Sequence, residues 1–249
     1  MRAEEIALVA DIGGGTSDFS VVRVSQDLAA KADRRADILG YDGVHIGGTD
    51  FDRLLSMSTL MPFLGLRSRM KAERLDAPAW YFSDLATWHR INRLYDARVL
   101  TQIRGVHRDS AEPEKIERLL AVLENRKGHA LLNRIEQAKI DLSAATSARV
   151  SLSDIVARLA LNIPRGRFER AIADDLARIS ARVRGVLQLA GLKPADVRTT
   201  FLTGGSSGVP AVRAAILAAV PEARIVTGDA FGSVATGLAL DAQRRFRGR

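Results

Sequence analysis

The stretch Asp11-Ile12-Gly13-Gly14-Gly15-Thr16-Ser17-Asp18 stands between two apolar runs, Ile6 to Ala10 and Phe19 to Val24, and constrains the chain more than any other. Each run reads as a strand. In the second, Phe19 and Val21 fall on one face and Ser20, Val22 and Val24 on the other, so the glycines form the tip of a hairpin. Three glycines remove the side chains that would hold a ligand away from the backbone, and successive N–H groups can then form a concave anion site. That geometry suits phosphate. Thr16 adds a hydroxyl donor, while Asp11 and Asp18 would repel phosphate unless a divalent cation or its water shell lay between.

Spacing excludes two other glycine motifs. A dinucleotide fingerprint needs a third glycine where Asp18 stands, and a helix where a strand follows. No Walker-type G-K-[ST] occurs. The run Gly204-Gly205-Ser206-Ser207-Gly208 spells G-x-S-x-G, the nucleophile elbow of α/β-hydrolases, but no histidine follows Ser206 to complete a triad.

The remaining composition narrows the setting. With 249 residues and 47% hydrophobic content the chain can bury a full core, and it contains no cysteine, which fits a reducing compartment such as the cytoplasm. No apolar run approaches the ~20 residues of a membrane-spanning helix. The histidines, His45, His89, His107 and His129, are scattered without ligand spacing. The net charge of +8 is carried largely by Arg67 to Arg108 and by the tail from Arg244. Glu73, Asp76, Asp84, Asp96 and Asp109 interrupt that arginine, as on a solvated helix surface, so nucleic acid is not the expected partner.

Along the chain, Asp37 to Gly40 reads as a third strand completing a meander. Thr49 then follows Gly47-Gly48 as the expected cap of a helix whose first turn holds Asp50 and Asp52 against the dipole. From Ser58 to Ile163 prolines punctuate helical stretches, which reads as an inserted domain, residues 58–163, within a lobe formed by 1–57 and 164–249. In the helix Leu131 to Ser143, Leu131, Ile135, Ala138 and Leu142 form an apolar stripe. Glu136, Lys139 and Ser143 form a separate polar one. Two strands follow, Ala148 to Leu152 and Ile155 to Ile163, then a long helix ending at Gly191. The chain then alternates strand Thr199 to Leu202, helix Val209 to Val220, strand Arg224 to Thr227 and helix Gly232 to Arg244, the pattern of a parallel sheet covered by helices. The loop Thr203 to Gly208 lies at the carboxyl end of a strand, where open α/β sheets bind ligands.

Four of these motifs, in this order, resemble the second half of an Hsp70 nucleotide-binding domain, within the wider actin and hexokinase superfamily. The resemblance covers the chain with a weak middle from Leu60 to Glu114. It implies an α/β fold, the ribonuclease-H-like lobe of an actin-like ATPase with an inserted, mainly helical α+β subdomain. It implies ATP or ADP with magnesium as cofactors: Gly13, Gly14, Gly15, Thr16 and Gly48 at the phosphates, and Asp11 and Asp18 near the metal. Glu136, Lys139 and Ser143 match the family's ribose and adenine helix. Gly204, Gly205, Ser206 and Pro210 match its adenosine loop, and Asp229 matches an aspartate before its last helix. The adenosine loop and the ending G-D-A-F-G-S-V-A-x-G-L-A suggest YegD-type relatives. One departure is Gly208, which stands where the family has an arginine packing on adenine, so a contribution of about 0.5–2 kcal/mol is expected to be missing.

The functional expectation is therefore half of a chaperone ATPase, closing on Mg-ATP with a preceding N-terminal lobe that carries the family's first phosphate loop and its catalytic lysine and glutamate. Co-chaperones and unfolded clients are the other implied partners. The 249 residues are expected to be a piece excised from a longer protein and inactive alone. The alternatives are a sugar or small-molecule kinase of the same superfamily, and a non-catalytic nucleotide-binding or filament protein.

Overall fold

The computed structural model describes residues 4–29, 33–71, 75–154, 159–228 and 232–246. In chain order the elements are β1 (Glu5–Ile12), β2 (Ser17–Val24), α1 (Gln26–Ala29), β3 (Ile38–Val44), α2 (Gly48–Thr59), α3 (Ala79–Leu85), α4 (Ala97–Asp109), α5 (Pro113–Glu124), α6 (Gly128–Ala144), β4 (Ser147–Ser151), β5 (Ala160–Pro164), α7 (Arg165–Ala171), α8 (Ala173–Leu189), β6 (Val197–Thr203), α9 (Pro210–Leu217), β7 (Arg224–Thr227) and α10 (Ser233–Phe246). They divide into two compact units, Met1–Thr49 with Ala173–Arg249, and Asp50–Ile172.

The first unit is built on a five-stranded sheet in the order β3-β2-β1-β6-β7. The meander β1-β2-β3 is antiparallel, whereas β6 runs parallel to β1 and β7 parallel to β6. This is the mixed sheet expected of the ribonuclease-H-like lobe. Alternation in the strands sets its faces: Ser17, Phe19 and Val21 of β2, with Leu8, Ala10 and Ile12 of β1, are all fully buried. Helix α8 packs along β2 and β3, and α9 packs against α8. The register pairs Ala10 with Leu202 and Asp11 with Thr203, so β1 and β6 end side by side and deliver their following loops to one place.

The second unit is mainly helical, with the antiparallel hairpin β4-β5 as its sheet. Phe51, Leu55, Leu64, Phe82, Leu85, Ile103, Ile116 and Ile135 are fully buried in its core. On α6 the apolar stripe Leu131, Ile135, Ala138 and Leu142 is buried as its spacing predicts. Arg165, following β5, donates from Nε to the carbonyls of Leu142 (2.8 Å) and Ala145 (3.0 Å), giving carbonyls at the end of that helix a partner that the helix itself cannot supply.

Several local expectations are corrected. The strands run further into the glycine motif than their apolar residues suggest, to Ile12 and from Ser17, so Asp11 and Asp18 sit in the ladder and the loop shrinks to residues 13–16. Asp37 precedes β3 in a 3₁₀ turn, buried and bound to Arg34 at 2.6 Å. The long helix before Gly191 is two helices, α7 and α8, divided at Ile172. Helix α2 begins at Gly48, so Thr49 lies inside the first turn. Residues 155–158, which begin the expected strand from Ile155, lie outside the described residues.

Candidate functional site

Three glycine segments converge on the hairpin tip of the first unit. Within the tip, the Gly13 N–H donates to the Thr16 carbonyl at 2.9 Å, closing a tight turn. From the start of α2, the Gly48 N–H donates to the Gly13 carbonyl (2.9 Å), and the Thr49 N–H and hydroxyl donate to the Gly14 carbonyl (2.8 and 2.9 Å). From the loop after β6, the Ser206 hydroxyl donates to the Gly13 carbonyl at 3.1 Å. The carbonyls of Gly13 and Gly14 are thus tied back to the two neighbouring segments. Gly14, Gly15 and Thr16 remain exposed, and a Cβ on Gly14 or Gly15 would meet nothing within 4 Å.

Two glycines make the convergence sterically possible. A Cβ at Gly47 would lie 2.6 Å from Gly14 and Gly15 backbone atoms. Gly204 has φ +79°, and its Cβ would press into the Ile12 carbonyl and stand 2.5 Å from Asp11 Oδ1. Any side chain at either position would push the loops apart. Gly205, Ser206 and Gly208 continue as a short 3₁₀ turn, with Ser206 buried and Gly205 and Gly208 exposed.

The electrostatics of the tip are those of two carboxylates held together. Asp11 and Asp18 are direct partners across the β1–β2 ladder, and Asp18 also accepts from the Thr16 hydroxyl at 2.9 Å. Burial, reinforced by the Asp18 charge, pushes the Asp11 carboxyl above its ordinary range. A divalent cation would relieve both effects. Among the described residues no cluster of three or more His, Asp or Glu side chains could cage a metal, and magnesium does not need one: it keeps several waters and takes one or two carboxylates plus phosphate oxygens. The residues present fit that ion.

The remaining predicted site residues belong to other segments of the chain. Glu136, Lys139 and Ser143 are on α6 in the second unit. Glu136 is exposed, and the Ser143 hydroxyl donates to the Lys139 carbonyl at 3.3 Å. Lys139, read from the sequence as part of a polar stripe, is only 8% exposed, and its Nζ bonds Asp52 Oδ2 at 2.9 Å. Asp52 is 9% exposed, with its other oxygen buried and unpartnered. Desolvation raises its pKa to about 6, against the opposing effect of Lys139. Sequence reasoning gave Asp52 only a dipole role; its place in the G-G-T-D-F-D segment was the available signal. Asp229 lies outside the described residues.

Comparison with known proteins bears on the same segments. The family model described as Hsp70 protein matches residues 111–243. The chain is 25% identical over 213 residues to a chaperone protein DnaK of Guillardia theta, covering 85% of this chain and 26% of that protein. It is 26% identical over 248 residues to the chloroplastic heat shock 70 kDa protein 6 of Arabidopsis thaliana, covering 97% of this chain and 27% of that one. To the chloroplastic stromal 70 kDa heat shock-related protein of Spinacia oleracea it is 27% identical over 248 residues, 97% of this chain and 32% of the relative. The chain thus spans about a quarter to a third of the length of these curated relatives.

Proposed function

Because the chain belongs to the Hsp70 family, we propose that it is the second nucleotide-binding lobe of an Hsp70-like chaperone ATPase, which holds the phosphates of Mg-ATP at the hairpin tip. The observation that carries this reading is the convergence of Gly47 to Thr49 and Gly204 to Ser206 on residues 13–16. A plain β-turn has no need of two further glycine loops fastened to its carbonyls. With the Gly13 and Gly14 carbonyls engaged, fewer acceptors are left to face a ligand at the tip, which favours its backbone donors as the receivers of a phosphate oxygen.

Within this reading Gly13, Gly14, Gly15 and Thr16 contact phosphate, and Gly48 and Ser206 act by fixing the tip. Asp11 and Asp18 would hold magnesium through its water shell, and that ion would supply charge neutralisation at the phosphates. Gly204 and Gly205 receive adenosine, and Glu136, Lys139 and Ser143 its ribose; Asp229 keeps its family role. The catalytic groups, co-chaperone contacts and client binding belong to the longer protein and its N-terminal lobe. The YegD-type wording of the adenosine loop and a cytoplasmic setting complete the reading. Two of the relatives above are named chloroplastic, and among the described residues no helix is long and apolar enough to cross a membrane.

The test is a titration of Mg-ADP into the chain and its Gly14→Val variant. Binding to the unaltered chain should be weak, with a Kd above about 0.1 mM, because one lobe makes only part of the contacts. It should be lost in the variant with the thermal midpoint unchanged. Binding indifferent to Gly14→Val would overturn the reading.

A further inference from the structure

We propose that the second unit carries a docking surface for an acidic segment of a partner protein, made by Trp88, Arg90, Arg93 and Arg126 on the stretch that follows α3 and on the turn that enters α6. That turn is held against the stretch. The Gly128 N–H donates to the Tyr95 hydroxyl at 3.2 Å, and a Cβ on Gly128 would lie 2.7 Å from Ile91 Cγ2. The rings of Trp88 and His129 stand 4.9 Å apart, and the Arg126 guanidinium lies over the Tyr95 ring, 5.4 Å from its centroid. Residues 88–93 and 126–129 thus form one continuous surface. Ile91 and Leu94 are fully buried and seat its backbone in the core of the unit.

The charge there is unbalanced. Within residues 84–98 and 126–129, Arg90, Arg93, Arg98, Arg126 and Lys127 stand against Asp84 and Asp96 alone. Asp96 is taken up by the cap of α4, where it accepts from the Arg98 N–H at 2.8 Å. Asp84 is 3% exposed and lies 3.7 Å from Arg90 and 3.1 Å from Arg93. One buried carboxylate therefore anchors two guanidiniums whose side chains stay 50% and 66% exposed. Anchoring lowers the ordering cost of binding, and a planar guanidinium can grip a carboxylate by two parallel hydrogen bonds. Beside them Trp88 is 41% exposed. An exposed indole among arginines has the composition of the energetic centre of a protein interface. A single-stranded nucleic acid would meet the same charge, but it gains affinity by stacking successive bases on successive rings. Here Arg126 occupies the Tyr95 face, so Trp88 is the ring left to a ligand. Acidic side chains around one apolar side chain match what this surface offers.

The experiment uses the 249-residue chain with Trp80→Phe, which leaves Trp88 as its one tryptophan. The probe is a synthetic peptide of aspartates and glutamates around a central leucine, titrated while the indole emission is followed. It should bind with a Kd on the order of 0.1 mM at low salt, shift the emission, and weaken as salt is raised. Arg93→Gln and Arg126→Gln should each weaken it about fivefold, the loss of a charge-assisted contact. Arg149→Gln, which removes the same charge from an exposed position on β4, should leave it unchanged. Arg126 does not touch Asp84, so its variant decides the matter if loss of Arg93 unsettles the fold. The same peptide with asparagine and glutamine in place of its acids should not bind. Acidic peptide that fails to bind or to move the Trp88 emission, or that Arg149→Gln weakens as much as Arg126→Gln, would overturn the proposal. So would tighter binding of a short oligothymidine than of the peptide. None of these outcomes involves the hairpin tip, and the phosphate-site reading stands or falls separately on Gly14→Val.

Discussion

Gly47 lies so close to Gly14 that a Cβ at position 47 would stand 2.6 Å from the Gly14 carbonyl carbon and oxygen. The obstacle is backbone, which cannot rotate aside as a side-chain tip would. Gly47→Ala should therefore destabilise the protein by about 1–3 kcal/mol, the usual cost of overpacking. Gly15→Ala, whose Cβ meets nothing within 4 Å, should leave the denaturant midpoint almost unchanged. Equal effects of the two substitutions would show that the tip does not rest against the start of α2.

Asp11 sets a pH dependence. Its carboxyl is held above the ordinary range by burial and then by Asp18. For a raised carboxyl the associated stability is fully present below the unfolded pKa and is lost as pH rises through the folded one. Asp11→Asn should thus raise the thermal midpoint at neutral pH and lose that advantage on acidification. Millimolar magnesium should narrow the neutral-pH gap by stabilising the unaltered protein. A gap that grows on acidification would contradict the assignment.

The Asp52–Lys139 pair should behave non-additively. Removing one member strips a buried charge of its counter-charge, at a cost of about 3–5 kcal/mol, whereas removing both exchanges a desolvated pair for neutral groups. Asp52→Asn and Lys139→Met should each lower stability markedly, and the double variant should be more stable than the sum of the two effects implies, by more than ~1 kcal/mol. Simple additivity in urea unfolding would mean that the two side chains act independently.

Turnover is the fourth expectation. Phosphoryl transfer requires water, metal and γ-phosphate to be positioned together. Phosphate release should be absent from the 249-residue chain and present in a longer protein carrying the preceding lobe. There, Asp11→Asn should reduce it strongly and Asp109→Asn should not. Steady release by the 249-residue chain, abolished by Asp11→Asn, would show a site complete without its partner lobe.

Most of the sheet was legible because it obeys short-range rules. The alternation of β2, the apolar β1 and the strand-helix alternation after Gly191 are all local signals, and β7 lies at Arg224–Thr227 as read. What escaped depends on distant partners. Thr49 has the chemistry of a helix cap, but its hydroxyl bonds Gly14, 35 residues away. Lys139 looks solvated on a helical wheel because nothing local reveals that Asp52 will cover it. The strand ends were understated for a different reason: Asp11, Ser17 and Asp18 are polar, yet the ladder is made by backbone groups that any residue supplies.

The parallel pairing of β1 with β6 also carries a consequence for the order of events during synthesis. β1 and β2 can close as a hairpin as soon as they leave the ribosome, but the other edge of β1 must wait until Val197–Thr203 has been made, with the entire second unit translated in between. An edge left open that long invites mispairing, and the distant closure slows folding. The strand that ends the wait also brings Gly204 and Ser206 to the hairpin tip. Pairing of β6 with β1 and assembly of the glycine loops around the hairpin tip are therefore one step, and a nascent chain halted before β6 would have the hairpin without the loop that Gly204 and Ser206 supply.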